Sequence, residues 1–476
     1  MKKTNKAIAA LFGLLMIVSC EDRLDVVAEN NVASSTIFST FATINGAVVG
    51  VYSKNQSGDL NGNPQLMSDF MSDNVNFVGS FPSLQEVDQF ETLATNTTID
   101  NIWLDAYELI GAANNVIVNL PPVDPAEING LDEATKAVFV AEAKFLRAYT
   151  YFQLVNLFAQ PYQFSGGTNL GVPIVSQPFE GGEISEFQLE RSTVNEVHAF
   201  IEQDLLDAIA DLPVDNGERA EQASAQGLLS RLYLYRENWA GAADLANQVI
   251  AAGNHPLAAN YDFYNNAETS SEHLFVVINT PTDGPQDESV PGSDEVYVNF
   301  YNASPGGRGD APFSQDLIDA FNAEPGDRRF DELSVAATDA GGNNTFFTTK
   351  YNDVVDNASD GMGVRVTEMY LNRAEANFRA GTSVGATPLA DINTLRSRAG
   401  LADLTAGNLD LDAISLERRK ELCFEGHRRM DLLRNGLNLR PGGGPESAPG
   451  ADKVIFPIVD DETTNNPNIT QNPGTF

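Results

Sequence analysis

The chain has 476 residues, of which 42% are hydrophobic; that supports a buried core without covalent staples and excludes a disordered protein. Asp and Glu number 66 against 29 Lys and Arg, a formal net charge of −37 that argues against a nucleic-acid partner and against electrostatic capture by anionic lipid. Two cysteines cannot form a disulfide framework, and His198, His255, His273 and His427 are too scattered in sequence for a zinc site.

The elements follow in chain order. Lys2, Lys3 and Lys6 precede an apolar run over 7–19, too short to span a bilayer and suited to a secretory signal. The run ends in Ile17-Val18-Ser19-Cys20, which resembles a bacterial lipobox. This predicts a signal peptide over 1–19, lipidation at Cys20 and a polar tether over 20–33. Two or three acyl chains would hold such a protein firmly, since each buried CH₂ contributes about 0.8 kcal/mol. Glu21 and Asp22 resemble a surface-export signal, so the outer face of an outer membrane is expected. The pattern then predicts helices over 34–54, 98–119, 131–159, 193–211, 220–236 and 239–252. In the 131–159 segment, Val138, Ala141, Phe145, Ala148, Phe152 and Val155 recur at helical spacing. A strand is expected over 274–278, and helices over 314–322, 366–380, 386–399 and as a pair in 411–434. Residues 55–97 and 253–313 read as loops rich in Asn, Gly, Ser and Pro, and 435–476 as an irregular tail. Helices and long loops alternate throughout, so 34–476 reads as one domain. Leu229, Ser230, Tyr233 and Ala242 match a tetratricopeptide unit, with Trp239 opening its second helix.

Several segments resemble one family. Ala141-Glu142-Ala143-Lys144-Phe145-Leu146-Arg147-Ala148-Tyr149 runs into Tyr151-Phe152-Gln153-Leu154-Val155, and Gly171-Val172-Pro173 follows. Arg191-Ser192-Thr193-Val194, Ile201 and Asp204-Leu205 come next. Glu417-Arg418-Arg419-Lys420-Glu421-Leu422 precedes Phe424-Glu425-Gly426, Arg428, Asp431-Leu432 and Arg434, and the chain closes through Pro457-Ile458 and Gln471-Asn472-Pro473-Gly474. Together these resemble the SusD/RagB outer-membrane nutrient-binding lipoproteins. One departure is Phe158-Ala159-Gln160, where the family more often has Gly after the Phe. The resemblance implies a mostly α fold with little β, a scaffold of tetratricopeptide-like helix hairpins carrying long loop insertions. It implies a non-enzymatic protein that captures an oligosaccharide, or sometimes a peptide, for a SusC-like TonB-dependent transporter. An adhesion or scaffold lipoprotein using the helical surface for protein contacts is the alternative.

Chemistry-bearing residues have bland readings. Glu417 and Glu421 are four apart, interleaved with basic residues, and Asp431 lies three from both Arg428 and Arg434; this predicts ion pairs at a helix corner rather than a glycosidase pair. Cys423, between Leu422 and Phe424, is expected to be buried and inert. No cofactor is expected. Asp356, Asp360 and Gly361 sketch a calcium loop, but Ala358 and Thr367 stand at ligand positions, so calcium has no clear motif. Trp103 and Trp239 are expected in the core.

The ligand surface is therefore expected in two insertions. Residues 69–90 hold Asp69, Asp73, Asn74, Asn76, Phe77 and Phe81, and residues 296–313 hold Tyr297, Phe300, Tyr301, Asn302, Arg308 and Phe313. Aromatics interleaved with amides and acids suit a sugar, which has an apolar ring face and hydroxyls that both donate and accept.

Overall fold

A computed structural model describes residues 34–179, 184–264, 270–282, 297–356 and 358–474. The expected signal peptide, Cys20 and the tether lie outside them. Helices α1 (Ser34–Ile37) and α2 (Phe41–Asn55) replace the single helix expected over 34–54. The break is a capping box: Thr40 accepts from the Thr43 amide and the Thr43 side chain accepts from the Thr40 amide, which starts a second helix. The stretch 55–97 is not all loop. It contains α3 (Asn63–Phe70) and α4 (Pro82–Asp88), each with proline in the first turn, where a fixed φ favours the helix and no donor is lost. Helices this short are held by packing rather than propensity, so no periodicity announces them.

The scaffold helices α5 (Thr97–Asn119), α6 (Glu133–Phe158), α7 (Val194–Asp211), α8 (Gln222–Tyr235) and α9 (Trp239–Ala252) fall close to their expected spans. Strand β1 (His273–Val277) is followed by α10 (Tyr297–Tyr301), α11 (Gln315–Asn322) and α12 (Arg328–Leu333). Strands β2 (Ser334–Thr338) and β3 (Asn344–Thr348) form a hairpin running from Ser334 opposite Thr348 to Thr338 opposite Asn344. Strand β4 (Gly361–Arg365) pairs antiparallel with β1 across a bulge and leads directly into α13 (Val366–Ala380). Helices α14 (Pro388–Arg398), α15 (Leu411–Leu422), α16 (Arg428–Arg434) and the short α17 (Asp460–Asn465) complete the fold. The sequence pattern missed α10, α12, β2, β3, β4 and α17, all six residues or shorter.

Helices α5, α6, α7, α8, α9, α13 and α14 pack each upon the next, with α2 against α5 and α6. This is the expected stack of helix hairpins. The repeat positions sit where one helix of a hairpin meets the other: Leu229, Ser230 and Ala242 are fully buried, and Ser230 Oγ donates to the Ala242 carbonyl at 3.0 Å. Trp103 is buried against Tyr107 and Phe158, whereas Trp239 is half-buried beneath the Arg379 guanidinium, 4.9 Å from its ring centre. Helix α6 is buried well beyond the expected stripe, because Tyr151, Leu154 and Leu157 face further neighbours.

One of its buried charges, Arg147, ties three helices. Nε and Nη2 donate to the Asp204 carboxylate of α7 at 2.8 and 2.7 Å, and Nη1 donates to Asn114 of α5. A guanidinium removed from water is tolerated only with such partners. Asp204→Ala is expected to destabilise the fold by about 3–5 kcal/mol in urea unfolding, and an Arg147→Met/Asp204→Leu double replacement by clearly less. Equal losses would show that the unpaired charge is not what costs.

Candidate ligand-binding surface

The two insertions chosen from sequence meet in space. The Asn76 amide donates to Pro312 O at 3.0 Å, the Val78 amide to Asp310 O at 2.8 Å and the Ser314 amide to Asn74 O at 2.9 Å; Val75 and Phe313 form a β-bridge. Residues 74–78 and 310–314 therefore run as a short antiparallel ladder joining segments more than 230 positions apart. Gly79 is required at its edge, because a Cβ there would lie 2.7 Å from both Asp310 Cγ and the Phe77 ring.

The candidate residues separate into two layers. Tyr297, Phe300, Tyr301 and Phe313 are between 0 and 3% exposed. Tyr301 OH donates to Asp69 Oδ2 at 2.6 Å and its ring stacks on Tyr351, while Tyr297 OH donates to the Ser359 carbonyl. Phe77 is buried as well and packs on Phe70 with ring centres 4.6 Å apart. Asn302 Nδ2 donates to the Val298 carbonyl at 2.8 Å. These side chains hold the insertions onto the scaffold, and the rings of Tyr297 and Tyr301 offer no face to solvent.

Asp73 and Asn74 are buried too, and their partners come from the C-terminal corner. Arg428 Nε and Nη2 donate to Asp73 Oδ1 and Oδ2 at 2.6 and 2.8 Å. Arg419 donates to Asn74 Oδ1 at 2.8 Å, to Asp73 O at 2.7 Å and to Asp316 at 2.6 Å. The expected pairing of Arg428 with Asp431 is thus corrected: Asp431 binds Arg418 at 2.8 Å and Arg434 at 2.8 Å, leaving Arg428 to reach the first insertion. The bend between α15 and α16 sets this up. Phe424 and Gly426 both have positive φ, and a Cβ on Gly426 would come 2.9 Å from Gln65 Cα of α3.

What remains at the surface is the exposed Asn76, together with the half-buried Phe81 and Arg308 above the buried Phe300. Phe81 and Phe300 meet edge to face with centres 6.2 Å apart, and the Arg308 guanidinium lies 5.0 Å from Phe300 and 5.8 Å from Phe81. Arg308 Nε also donates to Asp310 Oδ2 at 2.6 Å. Asp310 and Arg419 were not singled out from sequence. The Arg-Gly-Asp spacing at 308–310 pointed to the former; nothing local pointed to the latter. The surface offers the half-buried Phe81 ring, the Asn76 amide and the Arg308 guanidinium.

The acidic block at 417–425 is taken up by buried ion pairs. Glu417 is bound by Arg329 and Arg396, Glu421 by Arg398 and Arg365, and Glu425 by Lys350 and Arg365. These carboxylates pair between elements rather than along α15. Burial opposes ionisation of Glu425, but Arg365 and Lys350 outweigh it and hold its carboxyl well below the usual range. Burial pushes the Cys423 thiol up to about 11, which makes it inert. Among the described residues no group of His, Cys, Asp and Glu is arranged to hold a metal ion. A separate cleft of about 600 Å³ is lined by Arg219, Glu221, His255 and Phe275.

Two family profiles match the chain: "Starch-binding associating with outer membrane" over residues 22–234 and "SusD family" over 334–474. The chain belongs to the SusD/RagB family. Similar curated relatives of this SusD-family chain include SusD-like protein P25 of Formosa agariphila, 24% identical over 92% of this chain and 91% of that one. Another is starch-binding protein SusD of Bacteroides thetaiotaomicron, 24% identical over 73% of this chain and 75% of that one. Among solved structures, a SusD superfamily protein from Bacteroides vulgatus superposes with a TM-score of 0.81 at 25% identity, over 92% of this chain and all (100%) of that one. A laminarin-binding SusD-like protein gives 0.73 at 25% identity, over 92% and 100%. The SusD-like, mostly helical fold is therefore established.

Beneath this surface, burial pushes the Asp69 carboxyl up to about 7, against the opposing hydrogen bond from Tyr301 and charge of Lys350 and with help from Glu425. The folded protein then holds a proton that the unfolded chain releases near pH 4, so this contribution to stability is full below that pH and is lost as pH rises towards 7. Asp69→Asn is expected to remove a slope of up to about 1.4 kcal/mol per pH unit between pH 4 and 7, read from urea midpoints. An unaltered slope would show that Asp69 does not titrate there.

Proposed function

We propose that this chain is a cell-surface nutrient-binding lipoprotein that captures an oligosaccharide and delivers it to a partner SusC-like TonB-dependent transporter in the outer membrane. The observation that carries the reading is the meeting of the two insertions through the ladder between residues 74–78 and 310–314, beside which the Arg308 guanidinium lies 5.8 Å from the Phe81 ring centre. Sugar rings pack their apolar faces on the faces of aromatic rings while guanidinium and amide groups take the hydroxyls. The named binding properties of the relatives, starch for SusD and laminarin for the solved SusD-like protein, support the same class of ligand. The role is binding rather than catalysis, because the tempting carboxylates at 417–431 are engaged in buried ion pairs.

Isothermal titration against a panel of oligosaccharides tests the surface. Phe81→Ala and Arg308→Ala are each expected to weaken the cognate sugar at least about tenfold; Tm changes little for Phe81→Ala at the rim, whereas Arg308→Ala also lowers it by leaving the buried Asp310 carboxylate unpaired. Tyr297→Ala and Tyr301→Ala are expected to unfold the insertions instead. Parent-like binding by both rim variants would place the site elsewhere.

Anchoring follows from Cys20. Among the described residues no helix is long and apolar enough to cross a membrane, and the lipobox-like Ile17-Val18-Ser19-Cys20 supplies a thiol for acylation. Cys20→Ala is expected to release the protein from washed outer membranes. Retention after a carbonate wash would overturn the anchor.

A further inference from the structure

We infer that the surface selects neutral over anionic glycans, and that Asp310 sets the selectivity; this rests on the carbohydrate-binding reading. The insertion segments 69–90 and 297–313 carry Asp69, Asp73, Glu86, Asp88 and Asp310 but a single basic residue, Arg308. Asp73 is taken up by Arg428 and Asp88 by Arg440, both from outside the insertions. Arg308 is the cation that faces a ligand. Its side chain is 28% exposed, and the carboxylate bound to it at 2.6 Å, Asp310, is 5% exposed and lies beneath it.

The consequence is chemical. Arg308 gives its Nε to Asp310, while its two Nη groups have no hydrogen-bond partner among the described residues. They lie above the rings of Phe300 and Phe81. They remain strong donors to sugar hydroxyls, but the adjacent carboxylate cancels most of the field that a uronate or sulfate would need. An anionic group placed on Arg308 also meets Asp310 as a like charge, and the two insertion segments supply no second basic residue to share it. Recognition of anionic groups generally relies on bidentate guanidinium contacts or several cations together. Here Asp310 already occupies one edge of the fork. A neutral ring pays no such penalty and keeps its contact with Phe81.

The experiment compares two probes, neutral maltohexaose or laminarihexaose and anionic hexagalacturonate, by titration in 0.5 M NaCl. At that salt the screening length is roughly 4 Å, so the general repulsion from a strongly acidic protein is suppressed and contact selectivity remains. The parent is expected to prefer a neutral probe at least about tenfold. Asp310→Asn, which keeps the shape and an acceptor for Arg308, is expected to lower that ratio at least about fivefold, whichever way the absolute affinities move. Arg308→Gln serves as the second variant: it should weaken the neutral probe and bring no gain for the anionic one. A parent that binds hexagalacturonate as tightly as the neutral probes overturns the selectivity while leaving carbohydrate binding intact. An unchanged ratio in Asp310→Asn overturns the role of Asp310. Binding of neither class removes the carbohydrate reading and this inference with it.

Discussion

Arg428 closing on the Asp73 carboxylate is the contact on which the rest of the surface depends. It is a bidentate pair between residues 355 positions apart, both largely removed from water. A buried guanidinium without a carboxylate, or the reverse, carries a desolvation penalty that only the partner offsets. The first insertion therefore cannot leave the C-terminal corner without exposing or orphaning both charges. Arg419, from α15 on the other side of the bend, repeats the constraint through Asn74 and the Asp73 carbonyl. With residues 73–74 fixed, the ladder to 310–314 has a defined register, and the rim side chains have defined positions.

That corner belongs to a larger buried lattice. Glu272, Glu368, Glu417, Glu421, Glu425 and Asp431 are each bound by Arg or Lys from another element. The lattice joins β4, α12, α13, α14, α15 and α16, which hydrophobic contact alone would leave free to slide. Its members gain specificity of geometry more than net stability, since Coulomb attraction in the interior largely offsets desolvation. The same lattice makes the acidic block at 417–431 chemically quiet, because no carboxylate in it is left to act as an acid or base.

Function and scaffold are thereby separated in a physical sense. The helix stack supplies the apolar burial, with Arg147 fixing α5, α6 and α7 relative to one another. The insertions bury aromatics of their own, Tyr297, Phe300, Tyr301 and Phe313 among them, and take further rigidity from arginines of the scaffold. A surface held this way can vary at Asn76, Phe81 and Arg308 while its supports stay constant.

The sequence by itself determined the scaffold. Long helices such as α5 to α9 announce themselves because a repeat of 3.6 residues is a local property, readable from apolar spacing and from caps such as Thr193 with Glu196. The family motifs and the choice of two insertions were likewise present in the linear chain. Tertiary structure alone decided what is not local. It turned Tyr297, Tyr301 and Phe300 inward as supports, although aromatics among amides look alike in sequence whether they face ligand or core. It formed α3, α4 and α10, whose few residues are helical only because neighbours bury them. It also gave Arg428 to Asp73 instead of Asp431, because a charge buried by folding pairs with whichever opposite charge shares its cavity, and sequence distance carries no information about that.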